Sequence, residues 1–144
     1  MISNLTARAE IEQEWATVCT LTNWSRTYAV PGLGGNINET PPDSFYNLPL
    51  VLAYSVLDHI LSQFIIEGTL RCVKRNGTPC FQLGDKMRAA KREPAIPWIN
   101  FSRVEKGRDA RNGIAHQAKL LRKNDCLLYI HAIEAELRNW SIIK

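Results

Sequence analysis

The chain has 144 residues, 45% of them hydrophobic, and a formal net charge of +4, which suits one domain, 1–144, with one apolar core that folds without metal or disulfide support. Residues 1–14 lack a basic segment followed by an apolar run, so no secretory signal is read there. The first strongly apolar stretch, near Leu48, contains Asp58, His59, Ser62 and Gln63; a charge at mid-membrane depth costs roughly 3 kcal/mol, so it reads as a buried helix with no membrane partner.

The charge is unevenly placed. Residues 71–123 hold 14 of the 18 Lys and Arg residues against four acids, a net +10 that leaves −6 for the rest. Clustered cations raise the local potential and gain affinity for polyanions by releasing condensed counterions, so this region points to a polyanionic partner, with a solvated basic surface as the alternative. Cys19, Cys72, Cys80 and Cys126 contain no CxxC pair, and free thiols in a cytoplasmic protein are expected. A metal site of Cys72, Cys80 and His59 is set aside because the spacing is unspecific. No metal or cofactor is implied.

In chain order, Asn4 caps a first helix running to about residue 28, with Ile11, Trp15, Val18 and Thr22 on one side. The stretch PGLGGNINETPPDSFYN is too rich in Pro and Gly for a regular element and reads as a long surface loop. A second helix over 48–70 tolerates Pro49 in its first turn. Its wide apolar face of Leu50, Tyr54, Leu57, Ile60, Leu61, Phe64 and Ile65 makes it the central post of the core. Asp58 and His59, on its other side, are candidates for contacts with the helix at 102–116.

After residue 70 the chain turns basic and irregular, with Asn76-Gly77 as a turn signal and short strand pairing conceivable between RCVKR and PCFQL. A short helix covers 85–92 and stops before Pro94. Ser102 and Glu105 form a capping box that starts the next helix. The last helix begins at 124 or 125 and aligns Cys126, Tyr129, Ile130, Ile133, Leu137 and Trp140. It pairs Glu134 with Arg138 at i,i+4 and places His131 at the edge of its core face. The expected fold is all-α, an antiparallel bundle of four long helices plus one short helix.

The chemistry concentrates in SRVEKGRDARNGIAH, residues 102–116. On a helical wheel Val104, Gly107, Arg108, Arg111 and Ala115 share one side, and Glu105, Asp109, Asn112 and His116 an adjacent one. Arg111 thus lies on a partly apolar surface and needs a carboxylate, such as Asp58 or Asp109, or an anionic ligand. Arg111 and His116 are about 140° apart on an ideal helix. They converge on one substrate only if the helix loosens or ends near Gly113, if the long Arg side chain reaches round, or if a second subunit completes the site.

Arg111-Asn112-Gly113-Ile114-Ala115-His116 resembles the motif of the HEPN superfamily (higher eukaryotes and prokaryotes nucleotide-binding): an Arg, often followed by Asn or another polar residue, with a His four to six residues on. The motif's late position in an all-α chain, after a long apolar helix and before an amphipathic one, agrees over 48–140. The resemblance implies a metal-independent endoribonuclease, frequently the toxin of a toxin–antitoxin or defence system. It also implies a homodimer whose two motifs face one cleft, with an antitoxin protein as a further partner.

Residue chemistry fits that implication. Cleavage at the 2′-hydroxyl needs a base, an acid for the departing 5′-oxygen and a cation for the phosphorane. Imidazole exchanges protons at neutral pH, which gives His116 an acid or base role. Arg111, always protonated, stabilises developing charge, and Asn112 orients the imidazole or the ribose. Arg108, Lys106, Lys119 and Arg122 are the candidates for holding RNA phosphates. The alternative is a non-catalytic HEPN-like module that binds nucleotide, RNA or protein. A helical DNA-binding role ranks last, because Glu105 and Asp109 on the polar face would repel phosphates flanking a major groove.

Overall fold

The computed structural model describes residues 2–32 and 34–144 and is mostly helical. Eight elements follow one another: α1 (Leu5–Thr22), β1 (Arg26–Ala29), β2 (Asn36–Glu39), a 3-10 turn (Asp43–Tyr46), α2 (Asn47–Ile66), α3 (Leu83–Lys91), α4 (Phe101–Gln117) and α5 (Lys123–Asn139). The expectation of an all-α chain therefore holds for its five helices but not for the two short strands.

α2 is the post on which the rest is assembled, since it packs against α1, α3, α4 and α5. Leu50, Ala53, Tyr54, Leu57, Ile60, Leu61 and Phe64 are buried along it, a spacing of three and four that keeps one broad face inward. Each fully buried large apolar side chain contributes about 1.5–3 kcal/mol. Ile11, Trp15 and Val18 of α1, and Tyr129, Ile130, Ile133 and Leu137 of α5, meet that face. Trp98, Phe101, Trp140 and Phe64 stack edge to face at one end of the core.

Asn4 caps α1 as expected, its Oδ1 accepting from Thr6 and Ala7 N–H at 3.0 and 3.1 Å. The helix ends at Thr22, short of the expected 28, because the chain turns into an antiparallel hairpin in which Arg26 opposes Glu39 and Ala29 opposes Asn36. All eight strand residues are exposed, so they lack the apolar alternation that marks a half-buried strand. The stretch expected to be an irregular loop thus supplies β2 to an exposed ribbon and the 3-10 turn after it, and Arg26 of β1 is bonded to Glu39 of β2 at 2.6 Å.

Two further readings are corrected. Cys72 and Cys80 form a disulfide, with Cα atoms 5.5 Å apart, where free thiols were expected. The Val73–Pro79 bridge and the Cys80 N–H bond to the Cys72 carbonyl at 3.2 Å bring them together, a short form of the pairing conceived for this segment. Cys19 and Cys126 are free, and burial pushes the Cys126 thiol up to about 11. His131, expected at the core edge, is exposed.

Candidate functional site

α4 presents a narrow apolar stripe, Phe101, Val104 and Gly107, to the core, and Gly107 sets how closely it approaches. A Cβ there would lie inside van der Waals contact with the Tyr54 hydroxyl and 2.7 Å from the Tyr129 ring. The missing side chain lets Tyr54 donate its hydroxyl to the Val104 carbonyl at 2.7 Å. Burial pushes the Tyr54 phenol far above its ordinary range, keeping it a neutral donor.

The segments entering and leaving α4 are tied to other helices by buried polar side chains. Glu136 of α5, 1% exposed, accepts the N–H groups of Ile99 and Asn100 at 2.8 and 2.7 Å. Asn47 at the start of α2 accepts from Leu121 N–H at 2.8 Å and donates to the Leu121 carbonyl at 3.0 Å. The cap itself is Asn100, whose side chain accepts from Arg103 N–H at 3.1 Å. The expected capping box is therefore wrong: Ser102 lies inside the helix. Asn100 and Ser102 are both cap-forming types two residues apart, and the contact of Glu136 with Asn100 N–H favours the earlier start.

α4 is neither loosened nor ended at Gly113. It continues to Gln117 and closes on Ala118 in the left-handed region at φ 51°, ψ 30°, with Lys119 N–H returning to the Gly113 carbonyl at 3.2 Å. Even so, Arg108, Arg111, Asn112 and His116 line one cavity of about 500 Å³. Within it an Arg111 terminal nitrogen lies 3.4 Å from Asn112 Oδ1.

The opposite wall comes from α3: Gln82, Leu83, Gly84 and Arg88. None of these was a candidate from sequence. Gly84 is what lets the two helices share a cavity, because a Cβ there would collide with the Arg108 guanidinium. Gln82 gives α3 no side-chain cap, so the positive end of that helix faces the same space as the arginines.

The arginines differ in what neutralises them. Arg108, 17% exposed, pairs with the 63% exposed Asp109 at 2.7 Å, and Arg88 pairs with Asp85 at 2.5 Å. Arg111 has no carboxylate within 4 Å among the described residues. The Nε atoms of Arg108 and Arg111 are buried without a hydrogen-bond partner. Asp58 is not Arg111's partner either; it holds Lys86 of α3 at 2.8 Å. A half-buried guanidinium without an acid is costly unless an anion joins it.

The remaining sequence candidates lie elsewhere. Lys106 and Lys119 are exposed and outside the cavity lining, and Arg122 borders a separate hollow with Asp43 and Lys123. Asp58 and His59 do not reach α4: His59 Nδ1 sits 3.0 Å from Glu14 of α1. With Cys72 bonded to Cys80, the three-residue metal site weighed from sequence does not form. No family model, curated protein or solved structure matches the chain.

Proposed function

We propose that the chain is a HEPN-like, metal-independent endoribonuclease that acts on RNA in the cavity between α3 and α4. One observation carries this reading: Arg111, Asn112 and His116 line one cavity with Arg108 and Arg88, and Arg111 has a buried nitrogen with no partner. A phosphodiester supplies the anion such a guanidinium lacks, and its planar fork matches two phosphate oxygens. In the proposed reaction His116 takes the proton of the 2′-hydroxyl while solvent water protonates the departing 5′-oxygen, or His116 gives that second proton while water takes the first. The 2′-oxygen attacks phosphorus, the P–O5′ bond breaks, and Arg111 stabilises the phosphorane. The products are a 2′,3′-cyclic phosphate and a 5′-hydroxyl.

The fold proposed with this function is a four-helix antiparallel bundle of α1, α2, α4 and α5, with α3 as the added short helix. The contacts of α2 with all the other helices support it. A homodimer, a toxin role and a masking antitoxin rest on the motif's resemblance alone.

A second reading, a non-catalytic RNA- or nucleotide-binding module, is favoured by a different observation. The His116 side chain is exposed, and no hydrogen bond from another described residue orients its ring. The His116→Ala variant separates the two. Under the nuclease reading, RNA cleavage in the presence of a chelator disappears while binding is kept within a few-fold. If the wild-type protein binds RNA and leaves it intact, the binding-module reading stands instead.

A further inference from the structure

Phe81 is 77% exposed, the most open aromatic ring among the described residues, and it stands between two basic hollows. Its neighbour Gln82 lines the motif cavity. Its other neighbour, Cys80, lines a second cavity of about 350 Å³ together with Arg71, Lys74 and Arg92. Arg88 belongs to the walls of both, so the two hollows adjoin.

The backbone on each side of Phe81 is fixed. Cys80 is bonded to Cys72, its N–H reaches the Cys72 carbonyl at 3.2 Å, and the Val73–Pro79 bridge closes the loop. On the other side Gln82 is extended, at φ −80° and ψ 138°, and α3 begins at once. An exposed ring forfeits the burial that normally stabilises it, and this one is held out of the core by a disulfide and a helix start. Arg71, Lys74, Arg88 and Arg92, which line the two hollows, are exposed; of the two acids in that lining, Asp85 is taken by Arg88.

We propose that Phe81 is a base-stacking platform on a single-stranded RNA path running from the motif cavity, past Arg88, to the disulfide-closed loop. The proposal rests on reading the motif cavity as an RNA site. Cations that follow a backbone, with an aromatic ring between them, are what unpaired nucleotides require: phosphates meet the charges and a base covers the ring. A duplex does not fit, because its bases are already stacked and hidden. The path gives the enzyme a preference for unpaired substrate, with Phe81 positioning a nucleotide beside the scissile one.

The test uses the full chain and a fluorescent 12-nucleotide oligouridylate with 2′-O-methyl riboses, which cannot be cleaved by 2′-attack. Anisotropy titrations at fixed salt compare wild type with Phe81→Ala, Phe81→Leu and Phe81→Trp. Stacking predicts about tenfold weaker binding for Ala and Leu and retained binding for Trp, with unchanged melting temperatures. Inorganic polyphosphate, which has charge but no bases, should bind wild type and Phe81→Ala equally, as should a duplex of the same length. Binding of the oligonucleotide by Phe81→Ala within twofold of wild type overturns the proposal, as does an equal loss on polyphosphate. If wild type cleaves unmodified RNA while Phe81 proves indifferent, only the stacking path falls. If wild type binds no oligonucleotide at all, the RNA reading of the cavity falls with it.

Discussion

Gly84→Ala isolates the cavity from the fold. The new methyl would collide with the Arg108 guanidinium, whose Cζ would stand 3.0 Å away, but that group is the end of a flexible side chain and can swing aside. Gly84 is helical in the first turn of α3, so the substitution gains about 0.5–1 kcal/mol of helix propensity. Against this stands the Arg108–Asp109 pair at 2.7 Å, which at a largely exposed acid is worth about 0–1 kcal/mol. The two offset, and the melting temperature should move by no more than about 4 °C. RNA binding responds differently, because a displaced Arg108 loses one charge-assisted phosphate contact of about 1.5–3 kcal/mol, or roughly 10- to 100-fold in Kd. Circular-dichroism melts and anisotropy titrations read the two effects separately. Arg108→Ala should give a similar loss, and the double variant should not add to it. Unchanged RNA affinity in Gly84→Ala would refute the placement of Arg108 in the binding site.

Other substitutions test the frame. Gly107→Ala should destabilise by about 1–3 kcal/mol or more, seen as a lower denaturant midpoint, because the obstructing Tyr54 and Tyr129 are buried and cannot swing away. Glu67 accepts from Ser3 N–H, the Gln63 amide and Asn4 N–H, which hold its carboxyl at about 2 against an ordinary 4.5. Its stabilising effect is therefore complete above pH 4.5 and is lost as pH falls through 2. Glu67→Gln should melt lower than wild type at neutral pH, with the gap closing over that window. Replacing Cys72 and Cys80 together by Ser opens a loop with a sequence separation of eight, which should cost about 2.5 kcal/mol in a urea titration.

The parts of the fold legible in sequence are those where burial imposes a period. α2 and α5 carried their core faces openly: every apolar position expected to be inward on α5, from Cys126 to Trp140, is buried. The Glu134–Arg138 pair also forms, at 2.7 Å. The hairpin was illegible because RTYA and NINE bury nothing, leaving only turn-rich composition to read. The Cys72–Cys80 bond depends on a short backbone pairing around Val73 and Pro79, which the spacing of the cysteines alone does not show. At the site, Arg108, Arg111, Asn112 and His116 could be found because they share one helix. Gly84 and Arg88 could not, since their meaning appears only when α3 is laid against α4. Glu136 and Asn47, which hold the segments flanking α4, likewise act across 36 and 74 residues of sequence.

The end groups left on RNA test the central claim most directly. Wild-type protein incubated with a defined single-stranded RNA in excess chelator should yield fragments ending in a 2′,3′-cyclic phosphate and beginning with a 5′-hydroxyl, by mass spectrometry. Fragments with 3′-hydroxyl and 5′-phosphate ends, or RNA recovered intact, would contradict it.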